Sequence, residues 1–139
     1  MLIDANIFME IALGQKQTRI CEDLIYAIKT DAISEDVFIT QFSLNAMEAM
    51  LSEKYQDFIR DLLLLIYQRK IKIAQNEIED DLSVLTIKTD LNLDFDDALQ
   101  LLAASRLGTY LVTYDEDFAK TSLQTKTPEE VLEELATAA

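Results

Sequence analysis

The chain has 139 residues, half of them hydrophobic, so it is long enough for one folded domain and too apolar for a disordered tail. Its 26 acidic and 12 basic residues give a net charge of −14, which argues against non-specific nucleic-acid binding through basic side chains. The absence of histidine excludes a Ser-His-Asp triad, a histidine general base and histidine-ligated zinc. We therefore expect a single domain over residues 1–139 whose chemistry depends on carboxylates, hydroxyls and amides.

Several features of the sequence indicate the compartment in which the protein acts. The only cysteine, Cys21, excludes an internal disulfide and fits a reduced compartment. The opening MLIDAN lacks the basic and apolar regions of a signal peptide. The longest leucine-rich run, Leu62 to Tyr67, is far short of the ~20 residues that span a bilayer. We expect a cytoplasmic protein that does not bind membranes.

The first part of the chain alternates short apolar runs with helical patterns. Met1 to Ile3 predicts a first strand, and Val37 to Thr40 predicts a second. Between them, helical patterns run from Asp4 to Gly14 and from Gln15 to Lys29. Ser43 is the predicted N-cap of the helix that follows the second strand.

The middle of the chain predicts two helices around a third strand. The helix from Glu53 to Arg69 is apolar on more than one face, so it is either deeply buried or meets a partner chain. Ile71 to Ala74 predicts the third strand, and Asn76 is the predicted cap of a helix from Glu77 to Thr89. The apolar positions of this helix are Ile78, Leu82, Leu85 and Ile87. We interpret the acids of its first turn as surface charge: Glu77, Glu79, Asp80 and Asp81.

The last part predicts a buried helix between acidic ends. Asp94 is a suitable N-cap for this helix, which ends at Gly108. Tyr110 to Thr113 predicts the fourth strand, and Asp115 caps a short helix after it. Ser122 to Lys126 predicts a fifth strand at the edge of the sheet.

Strands that alternate with helices predict a three-layer α/β/α sandwich around a parallel sheet of four to five strands. Ligands of such sheets bind outside the carboxyl ends of the strands. Asp4 and Asp115 follow the first and fourth strands, Glu48 lies in the helix after the second, and Asp97 begins the helix before the fourth. Four carboxylates can therefore converge at one edge, where Mg²⁺ or Mn²⁺ would offset their mutual repulsion.

These acids also have other interpretations. Asp94 and Asp97 suit a helix start with no chemistry implied, and Glu48 can reach water from the edge of its apolar stripe. A phosphohydrolase of the haloacid dehalogenase class would need a second acid where Asn6 stands. The segment Asp115 to Asp117 lacks the glycine and downstream glutamate of a calcium loop. A fold kept as a binding or scaffold module is the alternative to an enzyme.

Four segments resemble PIN-domain ribonucleases, in the size class of VapC-like toxins. They are Leu2 to Asn6, Ser43 to Glu48, Phe95 to Leu99 and Val112 to Phe118, and Thr127 to Leu132 resembles the closing helix of the family. The resemblance runs from end to end in the right order. It implies a PIN-like fold and an endonuclease dependent on Mg²⁺ or Mn²⁺ that acts mostly on RNA, leaving 5′-phosphate and 3′-hydroxyl ends.

The resemblance also implies roles for particular residues and partners. The catalytic and metal-binding acids would be Asp4, Glu48, Asp97 and Asp115. Asp117 is an accessory ligand or a substitute for Asp115, and Asp96 is the alternative to Asp97. The residues that would support the site by hydrogen bonds are Asn6, Ser43 and Thr113. A homodimer through the first and long central helices is expected, and a toxin would have a small antitoxin protein as partner.

Overall fold

The computed structural model describes residues 1–138, in which strands and helices alternate as the sequence predicts. The strands are β1 (Leu2–Ile3), β2 (Phe38–Thr40), β3 (Lys72–Ala74), β4 (Leu111–Val112) and β5 (Thr125–Lys126). The α-helices are α1 (Ala5–Ala12), α2 (Thr18–Lys29), α3 (Gln41–Leu51), α4 (Gln56–Tyr67), α5 (Ile78–Leu91), α6 (Phe95–Leu107) and α7 (Pro128–Ala138). A short 3₁₀ helix, Glu116–Lys120, lies between β4 and β5.

The five strands form one parallel sheet in the order β3-β2-β1-β4-β5. Helices lie on both faces, because a parallel neighbour can be reached only through a crossover. The predicted three-layer α/β/α sandwich is confirmed. Since β1 lies between β2 and β4, the residues that follow β1 and β4 meet at the same edge of the sheet.

Successive side chains of each strand point to opposite faces of the sheet, so the hydrophobic core is divided between the two faces. Leu2 and Leu111 pack with Phe118 on one face, whereas Ile3 and Val112 join the larger cluster on the other. Helices α1 to α4 and α7 contribute to that larger cluster, and α5 packs on α6 on the opposite side. A fully buried aliphatic side chain stabilises the fold by about 1.5–3 kcal/mol, so the central strands are held mainly by apolar burial.

Two predicted helix caps are wrong. The cap of α3 is Thr40, whose Oγ1 accepts a hydrogen bond from the Ser43 backbone N–H at 3.0 Å. The strand runs directly into the helix here, so the cap is the last residue of β2. The cap of α5 is Glu77 rather than Asn76, through a capping box in which Glu77 and Asp80 bond each other's backbone N–H.

Asp80 is buried, and its interpretation as surface charge is therefore wrong. Its carboxylate accepts a hydrogen bond from the Glu77 backbone N–H at 2.7 Å and forms an ion pair with Arg106 of α6. The contact between α5 and α6 turns this side of the first turn inward. Composition alone could not distinguish Asp80 from its exposed neighbour Glu79.

Helix α4 is apolar on two faces. Ile59, Leu62 and Leu65 are buried, whereas Leu64 and Tyr67 are exposed to solvent. Within residues 1–138, no helix combines the length and the apolar character that crossing a membrane requires.

Candidate metal centre

Asp4 lies where β1 gives way to α1, and it is only 5 % exposed. Its Oδ1 accepts a hydrogen bond from the Asn6 backbone N–H at 3.2 Å, which caps α1. Its Oδ2 accepts a hydrogen bond from the Thr113 hydroxyl at 2.7 Å. One carboxylate therefore starts a helix and is tied to the residue that follows the neighbouring strand.

Thr113 connects three parts of this edge. Besides donating to Asp4, its Oγ1 accepts hydrogen bonds from Asn6 Nδ2 at 3.3 Å and from the Asp115 backbone N–H at 2.9 Å. A hydroxyl has one proton and two lone pairs, so its hydrogen-bonding capacity is fully used. Thr113 thereby fixes Asp4, Asn6 and Asp115 relative to one another.

Three further carboxylates come together beside Asp4. Asp97, Asp115 and Asp117 each offer an oxygen atom, and these atoms lie within 4.8 Å of one another. Asp97 is held at the start of α6, where its backbone N–H bonds Asp94 Oδ1 at 2.8 Å. Asp115 caps the 3₁₀ helix by accepting a hydrogen bond from the Asp117 backbone N–H at 2.9 Å. Each acid is thus positioned by local backbone geometry.

The carboxylates at this edge of the sheet repel one another, and this repulsion adds to the effect of burial on their pKa values. Burial, together with the charges of Asp94, Asp115, Asp4 and Asp96, raises the pKa of Asp97 to about 7. Burial and the charges of Asp4 and Asp94 raise the pKa of Asp96 to about 6. The pKa of Asp4 is also raised, chiefly by burial. All the charged groups that shift these three pKa values are carboxylates.

The donor set suits a hard divalent cation. Carboxylate and amide oxygens are the ligands that Mg²⁺ and Mn²⁺ prefer, and a cation would relieve the repulsion among these acids. Three buried side-chain oxygens nearby have no hydrogen-bond partner in the described part of the chain: Asn6 Oδ1, Asp96 Oδ1 and Gln100 Oε1. A buried acceptor without a donor is costly, so an ion or its bound water would also satisfy these atoms.

Apart from Asp4 and the residues bonded to it, Asn6 and Thr113, two predicted site residues lie outside the group of three carboxylates. Glu48 is half-buried on α3. Ser43 is buried, and its Oγ has no hydrogen-bond partner among the described residues. The roles predicted for Glu48 as a ligand and for Ser43 as a support stay predictions.

Gln100 is a residue of this site that the sequence analysis did not identify. It is fully buried, and its Nε2 donates to Asp96 Oδ2 at 3.3 Å. Its side chain also lowers the pKa of Asp4, against the larger effect of burial. The available signal was a lone amide inside the apolar run from Ala98 to Ala104, one helical turn after Asp96. A buried polar side chain at that position needs polar partners, and the acids supply them.

Replacing Gln100 with Met should weaken Mn²⁺ binding by about 10–100-fold, the usual effect of losing a group that orients metal ligands. Methionine has a similar length but cannot donate a hydrogen bond to Asp96. Calorimetry would give the affinity. Leu101→Met, which places the same side chain at a buried position of α6, is the control for packing. An unchanged affinity in Gln100→Met would contradict the role of the amide.

The fold and the site define a class of α/β/α domains with a carboxylate centre at the carboxyl edge of a parallel sheet. The model of the PIN domain family matches residues 1–123. The chain therefore belongs to the PIN domain family, whose members are generally nucleases that use divalent metal ions.

Solved structures share the fold. A toxin–antitoxin complex from Klebsiella pneumoniae contains a chain that is 19 % identical, with a TM-score of 0.66 and coverage of 91 % of this chain and 96 % of that one. PAE2754 from Pyrobaculum aerophilum is 25 % identical, also with a TM-score of 0.66, and the match covers 98 % of this chain and 88 % of that one. No curated protein matches the chain.

Proposed function

We propose that the protein is an endoribonuclease that depends on Mg²⁺ or Mn²⁺ and hydrolyses RNA phosphodiester bonds. The observation that carries this proposal is the oxygen-only group of Asp97, Asp115 and Asp117 beside buried Asp4, within a PIN domain. These carboxylates would act as metal ligands, and water activated by the bound ion would be the attacking group in hydrolysis.

The acids would share the binding of the metal. Asp97, Asp115 and Asp117 would hold the ion, with Asp4 and Glu48 completing the acidic centre. A bound divalent ion lowers the pKa of water and stabilises the phosphoryl oxygens in an in-line displacement. Thr113 and Asn6 would keep Asp4 and Asp115 in place. Catalysis by such a centre requires that its ligands be held close to the productive geometry.

The partner that we propose is a small antitoxin protein, which would make this chain the toxin of a toxin–antitoxin pair. The support is the shared fold with a chain of the toxin–antitoxin complex from Klebsiella pneumoniae. We also propose that the protein forms a homodimer and acts in the cytoplasm.

Binding of RNA has to overcome a net charge of −14. A bound cation would reverse the sign of the potential locally at the acidic edge. Among the bases, Lys120 lies on the 3₁₀ helix that carries Asp117, and Lys16 and Arg19 are exposed. These three side chains are our candidates for phosphate contacts.

The test is cleavage of a mixed RNA pool by the wild-type protein with Mn²⁺, by the wild type with EDTA, and by Asp97→Asn with Mn²⁺. We expect cleavage only in the first sample, since the second lacks the metal and the third lacks a ligand. Sequencing the products would show whether their ends carry 5′-phosphate.

The other outcomes discriminate between the alternatives. Cleavage that survives EDTA and Asp97→Asn would contradict a metal nuclease at this site. The absence of both cleavage and Mn²⁺ binding would favour a binding or scaffold module.

A further inference from the structure

Two phenylalanine rings meet beside the acidic edge of the sheet. Phe42, the second residue of α3, and Phe95, the first residue of α6, have ring centroids 5.6 Å apart and ring planes inclined by 50°. Phe95 is half-buried and packs against the hydrophobic cluster that α5 shares with α6. Phe42 is 42 % exposed. One ring is therefore anchored in the core, and the ring that it contacts is presented to solvent.

Both rings lie at the starts of helices, at the carboxyl edge of the sheet. Helix α3 continues directly from β2, which pairs with β1, and Asp4 follows β1. Helix α6 brings Asp97 beside Asp115. Phe95 precedes Asp97 by two residues, about 200° around the helix, so the two side chains leave opposite sides of the first turn of α6. The rings therefore flank the acidic centre at a distance of about one helix width, ~10 Å.

The basic side chains of the protein offer few contacts to phosphates. Lys120 already donates to the Asn92 backbone carbonyl at 2.8 Å. Five of the twelve basic side chains form ion pairs with acids: Arg60, Lys70, Lys72, Arg106 and Lys126. The net charge of −14 also repels an RNA chain over most of the surface. Affinity for RNA therefore needs contacts that do not depend on charge, and the stacking of a base on an aromatic ring is such a contact.

We propose that Phe42, supported by Phe95, is the surface on which one unpaired nucleobase of the RNA substrate stacks; this rests on the ribonuclease function proposed above. The contact between the two rings limits the orientations of Phe42 before RNA binds, so less conformational entropy is lost on binding. An uncharged ring stacks on every base, so this surface selects an unpaired base rather than a sequence. Because the rings lie ~10 Å from the acids, the stacked base would belong to a nucleotide near the cleaved bond rather than at it.

The experiment measures the binding of a fluorescent, unstructured RNA pool of about ten nucleotides by anisotropy. Ca²⁺ replaces Mn²⁺, since it takes oxygen ligands but polarises water less, and electrophoresis would show that the strands stay intact. We expect Phe42→Leu to raise the dissociation constant roughly 5- to 150-fold, the effect of losing one base–aromatic stack. Phe42→Tyr keeps the ring and should stay within about twofold of the wild type. In cleavage with Mn²⁺, Phe42→Leu should raise KM and leave kcat unchanged.

Tyr67→Leu is the matched control, because it removes an exposed aromatic ring of α4, and it should bind RNA as the wild type does. A 2-aminopurine base placed in the strand should lose fluorescence on binding to the wild type and keep it with Phe42→Leu, since stacking quenches this base. Phe42 rather than Phe95 is replaced because Phe95 also packs in the core. Equal melting temperatures of the wild type and Phe42→Leu would show that the fold is unchanged.

Two readouts separate a failure of the stacking surface from a failure of the nuclease. If Asp97→Asn abolished cleavage in Mn²⁺ but Phe42→Leu bound RNA as tightly as the wild type, the stacking surface would be overturned and the ribonuclease would stand. Binding that depends on Phe42 without any cleavage would support the stacking surface and contradict the nuclease. An equal loss of affinity in Phe42→Tyr and Phe42→Leu would show that RNA does not recognise the aromatic ring. A wild-type protein that binds no RNA would overturn both proposals.

Discussion

The metal-free protein should lose stability as the pH rises from about 5.5 to 8, and Asp97→Asn should remove most of this loss. The folded-state pKa of Asp97 is about 7 and that of Asp96 about 6, both above the unfolded value of 3.8. A carboxyl group with a raised pKa binds its proton more tightly in the folded state. Its contribution is therefore lost as the pH rises through the folded pKa, with a slope of up to about 1.4 kcal/mol per pH unit for each group.

Thermal unfolding in EDTA would measure the effect as a fall of several degrees in the melting temperature of the wild type. Saturating Mn²⁺ should raise the melting temperature more at pH 8 than at pH 5.5, because the ligands bind metal only when deprotonated. Asp23→Asn, which neutralises an exposed acid of α2, is the control and should keep the wild-type slope. If the melting temperature in EDTA fell equally steeply with pH in the wild type and in Asp97→Asn, the raised pKa would not belong to Asp97.

Asp97→Asn should thus have opposite effects on stability and activity. It removes a carboxylate that is repelled by its neighbours in the metal-free protein, and it also removes a proposed metal ligand. Sites that hold several acids for a metal commonly conflict with stability in this way. A variant that is more stable in EDTA but inactive with Mn²⁺ would separate the loss of function from unfolding.

The arrangement of strands and helices could be predicted from the sequence because the three central strands, β1, β2 and β4, are almost wholly apolar. Apolar runs predict buried parallel strands at Met1 to Ile3 and at Val37 to Thr40, and the helical patterns between them predict crossover connections. The exact ends were less predictable. Thr40 serves as both the end of β2 and the cap of α3, and a local pattern assigned that cap to Ser43.

The sequence was enough to place the acids of the site at one edge of the sheet. It was not enough to predict the distances between them. Sequence spacing indicates that Asp97 begins a helix and that Asp115 follows a strand, whereas their mutual distance depends on the packing of α6 on β4. The effect of Gln100 on the pKa of Asp4 also depends on the position of α6 against the sheet. The burial of Asp80 is another consequence of tertiary packing, since Arg106 is 26 positions away.

Thr113→Val should both destabilise the fold and weaken the metal centre. Valine has nearly the shape of threonine, but it removes the hydroxyl that donates to Asp4 and accepts from Asn6 and from the Asp115 backbone. The Asp4 carboxylate would stay buried with one hydrogen bond fewer, and the Asp115 N–H would lose its acceptor. Leaving buried polar groups without partners costs about 1–3 kcal/mol, and more for a charged group.

Chemical denaturation and Mn²⁺ calorimetry would measure the two effects of Thr113→Val separately. We expect a loss of about 2–3 kcal/mol in the free energy of unfolding, a large share of the 5–15 kcal/mol typical of a domain. The affinity for Mn²⁺ should fall by about 10–100-fold. Thr113→Ser keeps the hydroxyl and loses only a methyl group, so it should cost about 1 kcal/mol and retain the affinity. If Thr113→Ser lost as much affinity as Thr113→Val, packing of the methyl group rather than the hydroxyl would position Asp4 and Asp115.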